Sequence, residues 1–234
     1  MIQVDQLSKS YGNQKAVDQL SFIAQPGQVV GFLGPNGAGK STTMKMLSGF
    51  LQPDSGTAQV CGFDIINQSM EVRSCLGYLP EHNPLYLDLY VKEALGFMAD
   101  IYQVKQKALR IAEVIALCGL GEEQNKKIGA LSKGYRQRVG LAQAIIHDPE
   151  VLILDEPTSG LDPNQVVDIR NLIISLGKTK TVLVSTHIMQ EVEAICDQII
   201  IIAKGKLMVN QTKPDLFATK PGKNLEQIFN ELTA

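Results

Sequence analysis

Short runs of apolar residues recur along the chain, and each run ends at a glycine, a proline or a polar side chain. The four clearest runs span residues 28–34, 151–157, 181–186 and 198–205. Stretches with helical periodicity, residues 164–177 and 188–195, separate the later runs. Because apolar strands that alternate with helices are typical of a parallel sheet covered on both faces, the pattern predicts an α/β fold.

Three other segments depart from this pattern. In the first 25 residues, apolar and polar positions alternate around a turn at Tyr11, Gly12 and Asn13, which predicts an antiparallel β subdomain. Helix-forming residues dominate the segment before the second core strand and predict an inserted helical subdomain. The closing sequence NLEQIFNELTA predicts an amphipathic helix. We expect a single domain with a core in residues 1–84 and 150–210, a helical part in residues 85–149 and a C-terminal helix in residues 211–234.

The composition excludes several classes of protein. With 22 Lys and Arg against 24 Asp and Glu, the net charge is −2, which gives no electrostatic reason to expect a nucleic-acid partner. The densest apolar stretch, residues 195–203, contains three interruptions, whereas a membrane span needs about 20 apolar residues. The start of the chain lacks a secretion signal, so we expect a cytoplasmic location. The four cysteines form no CxxC pair, which argues against a metal or disulfide framework.

A glycine-rich loop follows the first apolar strand. Its sequence, GPNGAGKS, fits the pattern GxxxxGK[ST] and stands between a predicted strand and a predicted helix. Such glycines turn backbone N–H groups inward, and the helix N-terminus adds positive charge under bound phosphates. By chance the pattern would occur in about 1% of chains of this length. The loop residues expected to bind a nucleotide are Gly34, Pro35, Asn36, Gly37, Ala38, Gly39, Lys40, Ser41 and Thr42.

Two acids follow the second apolar strand, VLILDEP. Asp155 is the candidate partner of Mg²⁺, together with the Ser41 hydroxyl, and Glu156 is the candidate that orients or deprotonates an attacking water. His187 follows the third strand, where it would contact the terminal phosphate. A strand-end acid pair or a lone histidine is usually structural, but both stand here at strand ends beside a phosphate loop. Lys40, Glu156 and His187 are therefore the expected catalytic residues.

Residues 131–157, LSKGYRQRVGLAQAIIHDPEVLILDEP, resemble the signature region of ATP-binding cassette (ABC) ATPases, which leads directly into the acidic strand. SGLDP, from Ser159, looks like the D-loop of this family, and the sequence STH that ends at His187 looks like its switch segment. The resemblance covers residues 2–210. It implies a P-loop NTPase core, ATP and Mg²⁺ as cofactors, and a nucleotide site that Tyr11, on the adenine, and Val17 complete.

The resemblance also implies a dimer. In the family, one subunit's phosphate loop and the other subunit's signature enclose each ATP, and this chain carries one of each. The signature positions acting on the partner's ATP would be Ser132, Lys133, Gly134 and Tyr135. We therefore expect a second copy of the chain, or a paralogue, as partner. Asp162 would lie at the dimer seam; the alternative interpretation is an N-terminal helix cap beside Pro163.

Two positions depart from the family pattern. Lys133 and Tyr135 replace the usual Gly and Gln of the signature, while the Ser and the second Gly that face phosphate are kept. Glu81 stands where the family commonly has a Gln that reaches Mg²⁺ and senses the membrane subunit. A carboxylate also ligates Mg²⁺ but adds negative charge near the phosphates. The alternative is that Glu81 points to solvent.

The Glu81 version resembles ATPases of ABC-2 type exporters, and the neighbouring stretch is similar to the ATPase associated with bacterial gliding motility. The expected function is thus an ATP-hydrolysing subunit on the inner face of the cell membrane, coupled to a membrane-spanning permease. Apolar side chains in and around the segment from Glu81 to Glu93 would contact this permease. The alternative is that they pack inside the helical subdomain. These are Tyr78, Leu79, Leu85, Tyr86 and Tyr90.

Two other functions fit a chain with these motifs. A soluble ABC ATPase of an assembly system, such as iron–sulfur cluster assembly, also uses a single cassette. A nucleotide sensor without turnover would keep the phosphate loop, but the intact Lys40, Asp155, Glu156 and His187 argue against it. Nothing in the sequence identifies a transported substrate.

Overall fold

The computed structural model describes residues 1–233, which form two β-sheets with helices packed around them. The strands are β1 (Ile2–Tyr11), β2 (Gln14–Ala24), β3 (Gln28–Leu33), β4 (Ser55–Val60), β5 (Phe63–Asp64), β6 (Leu76–Leu79), β7 (Val151–Asp155), β8 (Thr181–Thr186), β9 (Gln198–Ala203) and β10 (Lys206–Thr212). The helices are α1 (Lys40–Leu47), α2 (Ser69–Cys75), α3 (Val91–Ile101), α4 (Lys107–Leu117), α5 (Lys133–Ile145), α6 (Pro163–Gly177), α7 (Met189–Ile195), α8 (Lys213–Thr219) and α9 (Leu225–Thr233).

The larger sheet has the strand order β10-β9-β3-β8-β7-β6, and all neighbours pair in parallel except β10 with β9. The strands β3, β7, β8 and β9 lie where the apolar runs predicted them, within two residues at each end. Every residue of β7 and β8 is buried, which explains their continuous apolar character. Because the register aligns Leu33 with Thr186 and Asp155 with Ser185, the loops after β3, β7 and β8 open at one edge of the sheet.

The smaller sheet is antiparallel, with the order β2-β1-β4-β5. The pairing of β1 with β2 around the turn after Tyr11 confirms the predicted antiparallel subdomain. Its inner face buries Leu7, Leu20 and Phe22 in one cluster with Phe32 of the larger sheet. The fold class, an α/β P-loop core with an antiparallel sheet and a helical part, is therefore as predicted.

The helices α3 to α5 lie between β3 and β7, the first and second predicted core strands. An edge strand that was not predicted, β6, precedes these helices and pairs in parallel with β7. The reason is length: β6 has four residues, so it forms no long apolar run. The hairpin of β4 and β5 was missed as well, because β5 has two residues and β4, SGTAQV, contains few apolar side chains.

The end of the chain also differs from the expectation. Residues after 211 were predicted as one C-terminal helix, but β10 extends to Thr212 and two helices, α8 and α9, follow it. Gly222, with a φ of 79°, lies in the turn that separates them. Leu225 and Ile228 of α9 are buried against the core, as its amphipathic pattern predicted. No helix within residues 1–233 is both long enough and apolar enough to cross a bilayer.

Candidate nucleotide site

The glycine-rich loop leaves β3 at the sheet edge and leads into α1, whose first residue is Lys40. Gly39 has a φ of 106°, and a Cβ atom there would lie 2.3 Å from the carbonyl oxygen of Ala16. Only glycine therefore fits where the loop meets the β1–β2 hairpin. Thr43 donates its hydroxyl hydrogen to the Gly39 carbonyl oxygen at 2.9 Å and fixes the loop to α1.

The Lys40 side chain is buried and points back toward the start of its own loop. Its Nζ donates to the carbonyl oxygen of Gly34 at 2.6 Å and to that of Pro35 at 3.3 Å. Burial lowers the pKa of Lys40, while the carboxylates of Glu156, Asp155 and Glu81 oppose this shift. A cation near three carboxylates, on a glycine-rich loop at a helix N-terminus, is suited to a multiply charged anion with a bound cation.

Asp155 is the last residue of β7 and is buried. The hydroxyl of Ser185, its register partner on β8, donates a short hydrogen bond to the Asp155 carboxylate. The backbone N–H of Glu156 donates to the Ser185 hydroxyl at 3.1 Å and to the Ser185 carbonyl oxygen at 3.2 Å. Ser185 therefore holds both acids at the end of the sheet, which a parallel register makes possible.

Glu156 takes a backbone conformation that is uncommon for a residue other than glycine, with a φ of 52°. This conformation turns its buried side chain toward His187, whose Nδ1 lies 2.9 Å and 3.0 Å from the two carboxylate oxygens. Burial raises the pKa of Glu156, and the contact with His187 works in the opposite direction. A carboxylate with a raised pKa and a histidine partner is suited to accept a proton.

One cavity of about 560 Å³ collects most of the predicted site residues. The phosphate loop and α1 form its floor, the acids of β7 and His187 form one wall, and the β1–β2 turn and Glu81 close its sides. The predicted residues that line it are Tyr11, Asn36, Gly37, Gly39, Lys40, Ser41, Thr42, Glu81, Asp155, Glu156 and His187.

Four predicted binding residues do not line the cavity. Gly34 and Pro35 offer their carbonyl oxygens to Lys40, and Ala38 and Val17 are buried under the glycines. Their position supports the shape of the loop. Glu81 is exposed and at the same time lines the cavity, so the two interpretations of this residue are compatible.

The signature residues do not reach this cavity within the same chain. Ser132 caps the N-terminus of α5 by accepting from the Tyr135 N–H at 3.4 Å, and Gly134 packs directly against the side chain of Gln165 on α6. Lys133 extends over Gly160, so its ammonium lies beside the segment after the acids. None of residues 132–135 is among the described residues that line the nucleotide cavity.

Asp162 caps α6. One of its carboxylate oxygens accepts from the N–H groups of Asn164 at 3.1 Å and Gln165 at 3.0 Å. The alternative that the sequence left open, an N-terminal cap beside Pro163, is therefore present in the structure. The side chain is also exposed, so a role at a dimer seam stays a prediction.

Two residues that line the cavity, Gln14 and Ala16, were not identified from the sequence. Ser159, which also lines the cavity, was identified only as the start of the D-loop segment, and Ser185 only as part of the switch segment. Ala16 and Gln14 carry no motif signal, whereas a serine at the end of a core strand beside an acidic strand was a signal available to sequence reasoning.

A second cavity, of about 500 Å³, lies between the core and the helical part. Exposed aromatic side chains line it, among them Phe50, 79% exposed, and Tyr86, 65% exposed, whose ring meets Phe97 edge to face. Tyr90 is exposed as well. Two residues predicted for partner contacts pack into the core instead, because Leu79 is buried in β6 and Leu85 lies against the main apolar cluster.

Comparison with known proteins agrees with this geometry. Residues 17–159 match the ABC transporter family. The bacitracin transport ATP-binding protein BcrA of Bacillus licheniformis is 41% identical over 210 residues, which are 89% of this chain and 68% of BcrA. The Nod factor export ATP-binding protein I of Paraburkholderia xenovorans (strain LB400) is 36% identical over 235 residues, 97% of this chain and 76% of that protein.

A solved structure described as the ATP binding subunit of an ABC transporter superposes with a TM-score of 0.92 and 28% identity, and the match covers 100% of both chains. It therefore shares the arrangement of both sheets and of the helical part. The strand-loop-helix motif, the acids at the adjacent strand end and the family match lead to one assignment. The chain belongs to the ABC transporter family, as an ATP-binding cassette.

Proposed function

We propose that this chain binds and hydrolyses ATP to drive a membrane exporter of the ABC-2 type. The main support for this proposal is that Lys40, Asp155, Glu156 and His187 line the same cavity as the glycine-rich loop. Phosphoryl transfer needs charge compensation and an aligned water more than it needs covalent chemistry. Lys40 offers positive charge for the phosphates, and Glu156 offers a carboxylate that can orient the water.

The triphosphate would lie on the loop, where backbone N–H groups and the N-terminus of α1 face it. Lys40 would leave its carbonyl acceptors and bind the outer phosphates, which gain more from a cation than a neutral carbonyl does. Tyr11, 54% exposed at the cavity mouth, offers a ring face for the adenine. The nucleotide would thus span the seam between the two sheets.

The oxygen ligands that line the cavity fit a magnesium ion. The Ser41 hydroxyl and the carboxylates of Asp155 and Glu81 would hold it, either directly or through water. When bound, the ion neutralises charge that develops on the phosphates. The Ser185 hydroxyl keeps the Asp155 carboxylate in place for this role.

Glu156 would act as the base in hydrolysis. A water hydrogen-bonded to its carboxylate attacks the γ-phosphorus, the proton passes to Glu156, the bond from the γ-phosphorus to the bridging oxygen breaks, and ADP and phosphate result. His187 would orient Glu156 through its Nδ1 and contact the γ-phosphate from the cavity wall.

Two copies of the chain would form the working unit. Ser132 and Gly134 stand at the N-terminus of α5, a 13-residue helix whose end favours an anion. Because they lie outside their own chain's cavity, a second copy would present them, with Lys133 and Tyr135, to the ATP. Asp162, exposed at the start of α6, would lie at the seam between the copies.

The aromatic cavity beside the helical part would receive an apolar helix of the permease. A smaller cavity lined by Phe50, Glu81 and Asp155 joins this surface to the nucleotide site, so Glu81 would couple the two. The chain would then work at the inner face of the membrane through its permease. The names of the two relatives contain the words transport and export, which supports a transporter subunit over a soluble assembly ATPase. The resemblance to the gliding-motility ATPase stays a prediction.

The test is turnover and ATP affinity of the Glu156→Gln variant. We expect wild-type-like affinity, loss of nearly all turnover and accumulation of a closed dimer with ATP, because the amide cannot accept the proton. Glu150→Gln, at the opposite end of β7, is the matched control and should hydrolyse ATP normally. Wild-type turnover in Glu156→Gln would refute the assigned base.

A further inference from the structure

A buried carboxylate behind the nucleotide site takes no part in the hydrolysis that we propose. Glu191 lies in the first turn of α7 and is only 2% exposed. It does not line the nucleotide cavity. A charge buried to this extent is costly unless hydrogen bonds satisfy it, so its partners indicate its purpose.

Both oxygens of Glu191 are engaged. The Thr158 hydroxyl donates to Oε1 at 2.6 Å, and the Thr186 hydroxyl donates to Oε2 at 2.9 Å. The guanidinium of Arg170, on α6, lies 3.6 Å from Oε1. Both threonines are themselves buried, so these bonds are shielded from water and geometrically fixed.

The two threonines flank the catalytic pair. Thr158 stands two residues after Glu156, in the loop that follows β7, and Thr186 directly precedes His187 at the end of β8. The Thr186 oxygen also accepts from the Ile188 N–H at 3.1 Å, which fixes the backbone on the far side of His187. One carboxylate therefore ties together the two loops that carry the base and the histidine.

We propose that Glu191 is a positioning residue for ATP hydrolysis, which holds the Glu156 and His187 loops at the separation that their contact requires. This inference rests on the proposed function. The contact of His187 Nδ1 with Glu156 is 2.9 Å long, so a shift of either loop by about 1 Å would break it, and such shifts at reacting groups reduce rates by about 10²-fold.

The test compares Thr158→Val, which keeps the shape and removes the hydroxyl, with Thr158→Ser, which keeps the hydroxyl. Glu191→Gln is the companion variant. Glu193→Gln is the control on the same helix, because Glu193 is exposed and its carboxylate accepts from Leu225 N–H on the opposite side of α7. Turnover, KM, the Kd for ATP and thermal unfolding are measured on the full chain.

We expect kcat to fall about 10- to 100-fold in Thr158→Val and Glu191→Gln, with KM and the Kd for ATP within about two-fold of wild type. Thr158→Ser and Glu193→Gln should keep wild-type kcat. A merely structural role would lower the unfolding temperature and leave the kcat of the folded fraction unchanged.

Two results would overturn the inference. One is wild-type kcat in folded Thr158→Val; the other is a Thr158→Ser variant as slow as Thr158→Val. Should Glu191→Gln fail to fold, the threonine pair decides. Absence of turnover in the wild-type chain itself would instead overturn the proposed function, and the inference with it.

Discussion

Glu156 combines three features that the neighbouring residues impose on it: a left-handed backbone, burial and a histidine partner. Its N–H is anchored twice to Ser185, so the conformation is held by the adjacent strand. Burial favours the neutral acid and His187 favours the carboxylate. The balance between them sets how much of the base is available at neutral pH.

His187 is expected to set part of this balance. A base must be deprotonated, so activity is lost as pH falls through the pKa of Glu156, which lies above its ordinary value. His187→Ala removes a contact that lowers this pKa, so the acidic limb of the kcat profile should move to higher pH. The measurement is the normalised kcat between about pH 5 and 8.

His82→Ala is the control for this experiment, because His82 is exposed and lies outside the nucleotide cavity. Its profile should coincide with that of wild type. An acidic limb that stays in place in His187→Ala would show that His187 does not affect the proton affinity of Glu156.

Among the elements, α6 begins with a cap that the sequence already suggested. Asp162 satisfies two backbone N–H groups of its first turn. Asp162→Ala should cost about 1 kcal/mol of unfolding free energy, whereas Asp162→Asn, which keeps an acceptor oxygen, should cost a few tenths at most. Urea denaturation measures both variants, and equal stability of all three proteins would contradict the cap.

The same two variants distinguish the role of Asp162 as a helix cap from its predicted role at the dimer seam. If Asp162 also contributes its charge to the dimer, Asp162→Asn should weaken ATP-dependent dimerisation while it keeps the helix. Sedimentation in the Glu156→Gln background measures this effect. Equal dimer formation by Asp162→Asn and its parent would confine the residue to capping.

The contact of α5 with β6 depends on a glycine. A Cβ at Gly77 would lie 2.1 Å from the Ala144 carbonyl oxygen, so Gly77→Ala must push the signature helix off the sheet. Overpacking of this kind costs about 1–3 kcal/mol. Gly121→Ala is the matched control, since no described atom lies within 4 Å of its Cβ position. Chemical denaturation of both variants is the measurement, and equal stability would contradict this account of the contact.

Sequence reasoning succeeded where the signal is local. The phosphate loop, the acids and the four apolar strands each occupy one short segment, so motif spacing and runs of apolar residues were enough to predict where they lie. It failed for β6, too short for periodicity, and for contacts between distant segments. Ser185 meets Asp155 across 30 residues through the parallel register of β7 and β8. Glu191 meets Thr158 across 33 residues because the first turn of α7 packs against the loop after β7.

For the whole molecule, the proposed function implies that two chains form one working unit. The phosphate loop and the signature lie apart in one copy, and α6 and α5 are tied together by Gln165 on Gly134 and by Arg138, whose guanidinium donates to Asp168 at 2.8 Å. ATP bound to one copy would contact the N-terminus of α5 in the other copy and would therefore shift its helical part. The aromatic cavity lies between the core and that helical part, so closure would change the surface that we propose for the permease.

A crystal structure of the Glu156→Gln variant with ATP and magnesium would show whether the glycine-rich loop is the nucleotide site. We expect triphosphate density on the loop from Gly34 to Ser41, metal density between Ser41 and Asp155, and Ser132 of a second copy against the γ-phosphate. An empty loop, or nucleotide bound elsewhere on the chain, would contradict this assignment.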